Sequence, residues 1–264
     1  MAESSIKLLI VGGGRMGEAL LGGLLDAQWA TPEQIVVVEK SSERAAQLQS
    51  TYSGIVVSSE LVPAASVVIA VKPNDVTEVC RQLIEPKRVL SIAAGVTIAS
   101  LQNAVGNDVA VIRAMPNTPA LVKLGASAIA GGATATEQDL HWASEVLGAV
   151  GLVVRVKEHE LDAVTGLSGS GPAYVFLLAE SLMEAGVAAG LDPQIAEVLT
   201  IQTLLGASTL LAAGEADAVQ LRAQVTSPNG TTHAGITEME NAGFRNAVVQ
   251  AVLRATERSK ELGS

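Results

Sequence analysis

The run Ile6-Lys7-Leu8-Leu9-Ile10-Val11-Gly12-Gly13-Gly14-Arg15-Met16-Gly17 sets the terms on which the rest of the chain is read. A short apolar strand enters a glycine-rich turn, and an amphipathic helical pattern over residues 16–28 leaves it. In that setting each glycine has its own task. Gly12 permits the tight turn, Gly14 lets the backbone approach a pyrophosphate, and Gly17 lets helix pack on strand, with Arg15 and Met16 in the same turn. A glycine-rich turn alone is weak evidence; the strand before it and the helix after it are what the dinucleotide reading requires.

Outward from this unit, β-branched runs alternate with helical patterns. Strands are expected at residues 8–11, 34–38, 55–57, 67–71, 88–92 and 109–114, with helices at 16–28, 43–50, 75–83 and 98–104 between them. Such alternation builds βαβ units around a parallel sheet. Runs at 126–130 and 151–154, flanking a helix at 137–150, extend it. After residue 156 strand signals stop. Ala- and Leu-rich helical segments follow at 173–190, 193–213, 217–223, 231–242 and 244–262. The segment 173–190 is apolar on nearly every face, and such a helix is normally buried. In a small helical domain that implies a partner subunit. The expected organisation is therefore an α/β Rossmann-like dinucleotide-binding domain over residues 1–156, with a mostly parallel sheet, and an all-helical dimerisation domain over residues 157–264.

The ends of the strands carry the candidate cofactor residues. Glu39, roughly 20 residues beyond the glycine turn, stands where an acid takes the adenine ribose 2′-hydroxyl. Lys40, Ser41, Ser42 and Arg44 beside it offer the alternative of a 2′-phosphate site, while Ser41 or Ser42 also serves as a plain helix cap. NADH and NADPH both stay open. Val71-Lys72-Pro73 closes the fourth strand, at the carboxyl edge where open α/β sheets bind ligands. Ala93-Ala94-Gly95 closes the fifth with residues small enough for a flat nicotinamide. Asn117, in the stiff turn Met115-Pro116-Asn117-Thr118-Pro119, offers an amide.

A second polar turn, Val225-Thr226-Ser227-Pro228-Asn229-Gly230-Thr231-Thr232, lies between two helical patterns. At a helix start, backbone N–H groups and hydroxyls suit a small anion. Ser227, Gly230, Thr231 and Thr232 supply such hydroxyls and N–H groups here. The plainer alternative makes Thr231 or Thr232 a helix cap. One chain thus offers a cofactor end and a small-anion end. Of the three histidines, His141 and His159 read as surface residues, and His233 as a solvated helix position beside the turn. Arg245 reads either as a pocket residue or as the partner of a nearby acid. Ser168-Gly169-Ser170-Gly171 lacks the entering strand of a nucleophile elbow and is expected to be a tight turn that starts a helix at Pro172.

Bulk composition narrows the classes. The 264 residues are 48% hydrophobic but only 2% aromatic, so the core must be built from Ala, Val, Leu and Ile. Seventeen Lys and Arg against 27 Asp and Glu give a net charge of −10, which argues against a nucleic-acid partner. The single cysteine, Cys80, allows no internal disulfide and no paired-cysteine metal site, and reads as core filler. No metal is expected. Met1-Ala2-Glu3-Ser4-Ser5 lacks a charged leader with a following apolar stretch. The longest apolar runs are broken by Gly, Glu or Pro, so no membrane span and a cytoplasmic location are expected.

Taken together these blocks resemble the pyrroline-5-carboxylate reductase family over nearly the whole chain. The resemblance is carried by Ala70-Val71-Lys72-Pro73, Ser91-Ile92-Ala93-Ala94-Gly95-Val96-Thr97, Arg113-Ala114-Met115-Pro116-Asn117-Thr118-Pro119-Ala120, Leu167-Ser168-Gly169-Ser170-Gly171-Pro172-Ala173-Tyr174, the 225–232 turn and Gly243-Phe244-Arg245. It implies reduction of a cyclic imine acid to L-proline with NADPH or NADH, an intertwined dimer, and in many members a decamer. It places the substrate at Ser227, Gly230, Thr231 and Thr232 with Glu215 nearby, and the cofactor at the glycine turn, Lys72, Pro73, Ala93 and Asn117. Asn229 replaces a glycine common in the family, and Asp217-Ala218 replaces a commoner His-Pro.

Overall fold

The computed structural model describes residues 6–263; the N-terminal reading of Met1 to Ser5 lies outside them. The chain divides into two compact units, one running up to Ser170 and taken up again from Leu253 onward, the other spanning Gly171–Val252.

The first unit is a single eight-stranded sheet with helices on both faces. In chain order its elements are β1 (Leu8–Val11), α1 (Arg15–Asp26), β2 (Ile35–Val38), α2 (Ser42–Thr51), β3 (Val56–Ser58), β4 (Ser66–Ile69), α3 (Pro73–Gln82), β5 (Arg88–Ser91), α4 (Ile98–Val105), β6 (Ala110–Met115), β7 (Gly125–Gly131), α5 (Glu137–Gly148), β8 (Gly151–Arg155) and the single turn α6 (Leu161–Val164). The strand order is β3-β2-β1-β4-β5-β6-β7-β8. All neighbours are parallel except β6 and β7, which pair antiparallel from Ile112↔Gly131 to Met115↔Ala128. The expected mostly parallel sheet is the observed one, with its strands shifted by a residue or two at the ends.

Alternation along the strands feeds two cores. Leu8, Ile10, Ile35, Val37, Val68 and Leu90 bury against Leu20, Leu21 and Leu24 of α1 and Trp142, Ala143, Val146 and Leu147 of α5. Leu9, Val11, Val36, Val67, Ile69, Val89 and Val111 bury on the opposite face against Val76 and Cys80 of α3, Ile98 and Leu101 of α4 and Leu161 of α6. A strand buried on both faces is apolar at nearly every position, which is why β1 and β2 read as continuous apolar runs and β4 departs only at Ser66. Each fully buried Leu or Ile contributes roughly 1.5–3 kcal/mol.

The second unit holds α7 (Gly171–Ala188), α8 (Pro193–Ala212), α9 (Ala218–Gln224), α10 (Thr231–Asn241) and the first part, to Val252, of α11 (Phe244–Leu262). Gly186 gives α7 a flat place against Ala196 of α8, where a Cβ would come within 3.1 Å. Their other faces stay open: Phe176 is 62% exposed, Val198 66% and Leu210 64%. Among the described residues α8 is the one helix long and apolar enough to cross a membrane by length and composition, with a mean hydropathy of 1.5. The interruptions at Glu197 and Gly206 do not lower it below such a span. The tight turn expected at Ser168–Gly171 is not there. Thr165–Gly169 is instead a π-helical turn continuing α6, with the Ser170 N–H donating to the Thr165 carbonyl at 2.8 Å.

Candidate active site

The strand order reverses between β1 and β4, the switch point at whose carboxyl edge open α/β sheets bind ligands. There the Gly12 N–H donates to Val38 O at 2.9 Å and the Ala70 N–H to Val11 O at 2.8 Å. Gly12 adopts φ +108°, and a Cβ on it would lie 2.6 Å from Ala70 O. A Cβ on Gly17 would lie 2.0 Å from Gly12 O, so helix α1 sits directly on the turn. Gly14 differs from both, because a Cβ there would meet nothing within 4 Å. Nothing inside the protein demands glycine at that position, and the space beside it is open to a molecule approaching from outside. Gly14 is the N-cap of α1 and makes no side-chain capping bond. The first-turn N–H groups of Arg15, Met16 and Gly17 therefore head an uncapped helix, a ready anion site.

Glu39 follows β2 and is held in place. Its Oε2 accepts the Gly13 N–H at 3.0 Å and its Oε1 the Ser41 N–H at 2.8 Å. The Ser41 hydroxyl caps α2 by accepting the Arg44 N–H at 3.3 Å. Arg44 turns back under the glycine turn, donating from Nε to Gly13 O at 2.7 Å and from Nη2 to Glu18. Lys40 is exposed beside them.

Along the same edge, Val71 is half-buried, Lys72 is the exposed N-cap of α3, and Pro73 is its first residue. Ala93 is buried and donates its N–H to Ser91 Oγ at 3.4 Å, while Ala94 is exposed. Gly95 has φ +77° and lies against the end of α11, where a Cβ would meet Leu262 O at 3.1 Å. Asn117 is more engaged than its sequence suggests. Its Nδ2 donates to Ser168 O at 3.0 Å, and its Oδ1 accepts the Ala126 N–H at 2.8 Å. One amide N–H and one lone pair are left for any ligand.

Sequence reasoning passed over Arg113 as a site residue. It is buried beneath this edge, with Nη1 3.4 Å from Glu158 Oε1, and the same oxygen accepts the Ile98 N–H at 2.6 Å. One carboxylate thereby pairs a buried guanidinium and caps α4. The only signal available was an Arg inside an otherwise apolar strand.

In the helical unit, Ser227 to Gly230 form a turn closed by the Gly230 N–H donating to Ser227 O at 3.0 Å. Asn229 takes φ +59°, the left-handed conformation that Asn tolerates, so the turn survives the departure from glycine. The closure corrects one expectation: the Gly230 N–H is spent inside the turn, so only the N–H groups that follow it head α10. A Cβ at Gly230 would lie 2.4 Å from Ser227 Oγ, so that hydroxyl lies over the turn. Gly230 is the N-cap of α10 and makes no side-chain cap bond, so neither Thr231 nor Thr232 is the helix cap. Both are exposed, as is Glu215 ahead of α9. Asp217 caps α9 reciprocally with Gln220, which gives the second departure a structural role. Arg245 takes the second of its two readings: its Nε donates to both oxygens of Glu240, at 2.7 and 2.9 Å. The two line a cavity of about 240 Å³ with Arg222, Ile236, Met239 and Phe244, and none of the expected substrate residues line it.

A family model described as pyrroline-5-carboxylate reductase dimerisation matches residues 158–262, and one described as NADP oxidoreductase, coenzyme F420-dependent, matches residues 7–95. The pyrroline-5-carboxylate reductase of Synechocystis sp. is 44% identical, over 98% of this chain and 99% of its own. That of Mycobacterium leprae is 41% identical, over 99% and 98%. Among solved structures, the pyrroline-5-carboxylate reductase of Coxiella burnetii superposes with a TM-score of 0.92 at 35% identity, covering 99% of this chain and 100% of its own. The Plasmodium falciparum pyrroline carboxylate reductase, solved with NADP bound, superposes with a TM-score of 0.84 at 29% identity, covering 99% of each. Shared along its full length in both sequence and fold, the chain belongs to the pyrroline-5-carboxylate reductase family.

Proposed function

We propose that this chain reduces 1-pyrroline-5-carboxylate to L-proline with NADPH or NADH, the last step of proline biosynthesis. The observation that carries the reading is full-length similarity to enzymes of that name in a chain that keeps both the glycine turn and the 225–232 turn. When bound, the dinucleotide supplies a hydride for the imine carbon. Gly12, Gly14, Arg15, Met16 and Gly17 seat its pyrophosphate on α1. Glu39, Lys40 and Ser41 meet the adenosine ribose, and Val71, Lys72, Pro73, Ala93, Ala94, Gly95 and Asn117 line its path toward the nicotinamide. A helix start led by small residues, one of them with free space where a side chain would stand, fits such a group.

The Ser227 hydroxyl and the first N–H groups of α10 orient the substrate carboxylate, with Glu215 close by. The imine nitrogen enters already protonated from solvent and donates its N–H to the Thr232 hydroxyl, so that hydride gained at the carbon leaves the neutral secondary amine. This is orientation plus electrostatic preorganisation, with no covalent intermediate.

Residues 1–156 serve as the dinucleotide domain and residues 157–264 as the substrate and dimerisation domain. The exposed apolar residues of α7 and α8 fall inside the segment matched by the dimerisation model, so we read them, α8 included, as subunit-facing rather than membrane-facing. The protein works as a cytoplasmic homodimer that assembles further into a decamer, with no nucleic-acid or membrane partner. The test is NAD(P)H oxidation with authentic pyrroline-5-carboxylate. Turnover is expected, and its absence with both cofactors in folded protein overturns the reading. Thr232→Ala should lower kcat at least about 100-fold with cofactor binding intact; near-normal kcat removes Thr232 from the mechanism.

A further inference from the structure

We propose that Glu39 makes this protein an NADH enzyme by committing to itself the donors that a ribose 2′-phosphate would require. The inference rests on the reductase reading for the class of cofactor and goes beyond it in choosing between the two.

A 2′-phosphate at this edge needs backbone N–H groups after β2 and a cation that can reach it. The Ser41 N–H is already given to Glu39 Oε1 at 2.8 Å, and the Gly13 N–H to Oε2 at 3.0 Å. The Glu39 backbone is fixed as well, its N–H donating to Ser58 O at 2.9 Å at the end of β3. The carboxylate is therefore held from both sides and cannot swing away without giving up two backbone N–H bonds. The guanidinium in this turn is largely committed. Arg44 donates from Nε to Gly13 O, from Nη2 to Glu18, and from Nη1 to Gln47 Oε1 at 3.3 Å, which leaves one N–H on each Nη and orients the group toward Gly13, Glu18 and Gln47.

Beside the glycine turn and the end of β2 the exposed cations are Arg15 and Lys40; Lys72, also exposed, follows β4 instead. Arg15 opens α1 beside the turn assigned to the pyrophosphate that both cofactors share, so it does not discriminate. Lys40 offers a mobile point charge without the paired donors that Glu39 has taken. For NADH the same arrangement is favourable. A carboxylate with two oxygens held in place keeps lone pairs for vicinal ribose hydroxyls, and a dianionic phosphate brought to that spot meets a fixed like charge.

The test is direct binding of NADH and NADPH to the full-length protein, followed by cofactor fluorescence, with steady-state kinetics on the imine in parallel. NADH should bind at least about 10-fold more tightly than NADPH, from like-charge exclusion alone. Glu39→Ser should bring the two dissociation constants within about threefold of each other, by weakening NADH and strengthening NADPH, because it frees the Ser41 N–H and removes the charge. Glu39→Gln, which keeps the shape and loses the charge, should fall between. The inference is overturned if wild-type protein binds NADPH as tightly as NADH, or if both folded variants keep the wild-type ratio. Turnover that prefers NADPH would sink this inference and leave the reductase reading standing; tight NADH binding without imine turnover would do the reverse.

Discussion

A methyl group on residue 17 would sit 2.0 Å from the Gly12 carbonyl oxygen, so Gly17→Ala must push α1 away from the turn it rests on. We expect a loss of roughly 1–3 kcal/mol in stability together with weakened dinucleotide binding, read by denaturant unfolding and cofactor fluorescence. Gly14→Ala meets nothing in the protein. It should leave stability within about 0.5 kcal/mol and impair binding alone; equal melting losses in the two variants would mean that Gly14 also has a packing role. These glycines were legible because their constraints are local, set by residues a few positions away or by the next strand. Asn117 was not, since its partners arrive from Ala126 and from Ser168 in a later turn, and no spacing rule links them. Cys80 was read as core filler and is buried, which pushes its thiol up to about 11 from 9.0. The fold thus favours the protonated thiol. Its contribution is complete below about pH 9 and is lost as pH climbs toward 11. The stability difference between wild type and Cys80→Ala should accordingly shrink over that interval, measured by urea unfolding at several pH values; a constant difference would contradict the assignment.

Elements were easier to find than their ends and joints. The apolar runs of β1 and β2 and the cap at Ser41 mark boundaries legible from sequence, while the caps at Thr97 and Thr136 emerge only in the structure. What periodicity could not supply was direction. Nothing in Gly125–Gly131 announces that β7 runs against β6, because both orientations need the same apolar faces. The π-helical turn at Thr165–Gly169 was missed for a related reason: Gly and Ser there suggest a turn, while the actual path is set by packing around Leu161 and Met115. The ion pair of Arg113 with Glu158 ties the short helical stretch after β8 to β6 and to the start of α4. Glu158→Gln keeps a cap acceptor but leaves a buried guanidinium short of its counter-charge. That should cost roughly 1–3 kcal/mol, discounted for the half-exposed carboxylate. Thermal unfolding checks it, and an unchanged midpoint would show that the pair contributes nothing.

For the molecule as a whole, the change from alternating strands to Ala- and Leu-rich helices was visible in composition, and so was the need for a partner. An all-round apolar helix in a small unit has nowhere else to bury its faces. Placing Glu at Val198 and Leu205, which are 66% and 54% exposed, should convert an assembled protein into monomers at micromolar concentration. Sedimentation velocity measures this, and an unchanged mass would put the subunit contact on another face. How the chain closes was not legible at all. The last turns of α11 belong with the dinucleotide unit: Ser259 donates its hydroxyl to Asp162 at 2.7 Å, and the helix end lies on Gly95, in the loop that follows β5. This bears on how the protein is made. A ribosome delivers the glycine turn long before the residues that brace the Gly95 loop, so the nascent sheet waits for α11 to be made before that loop gains its support.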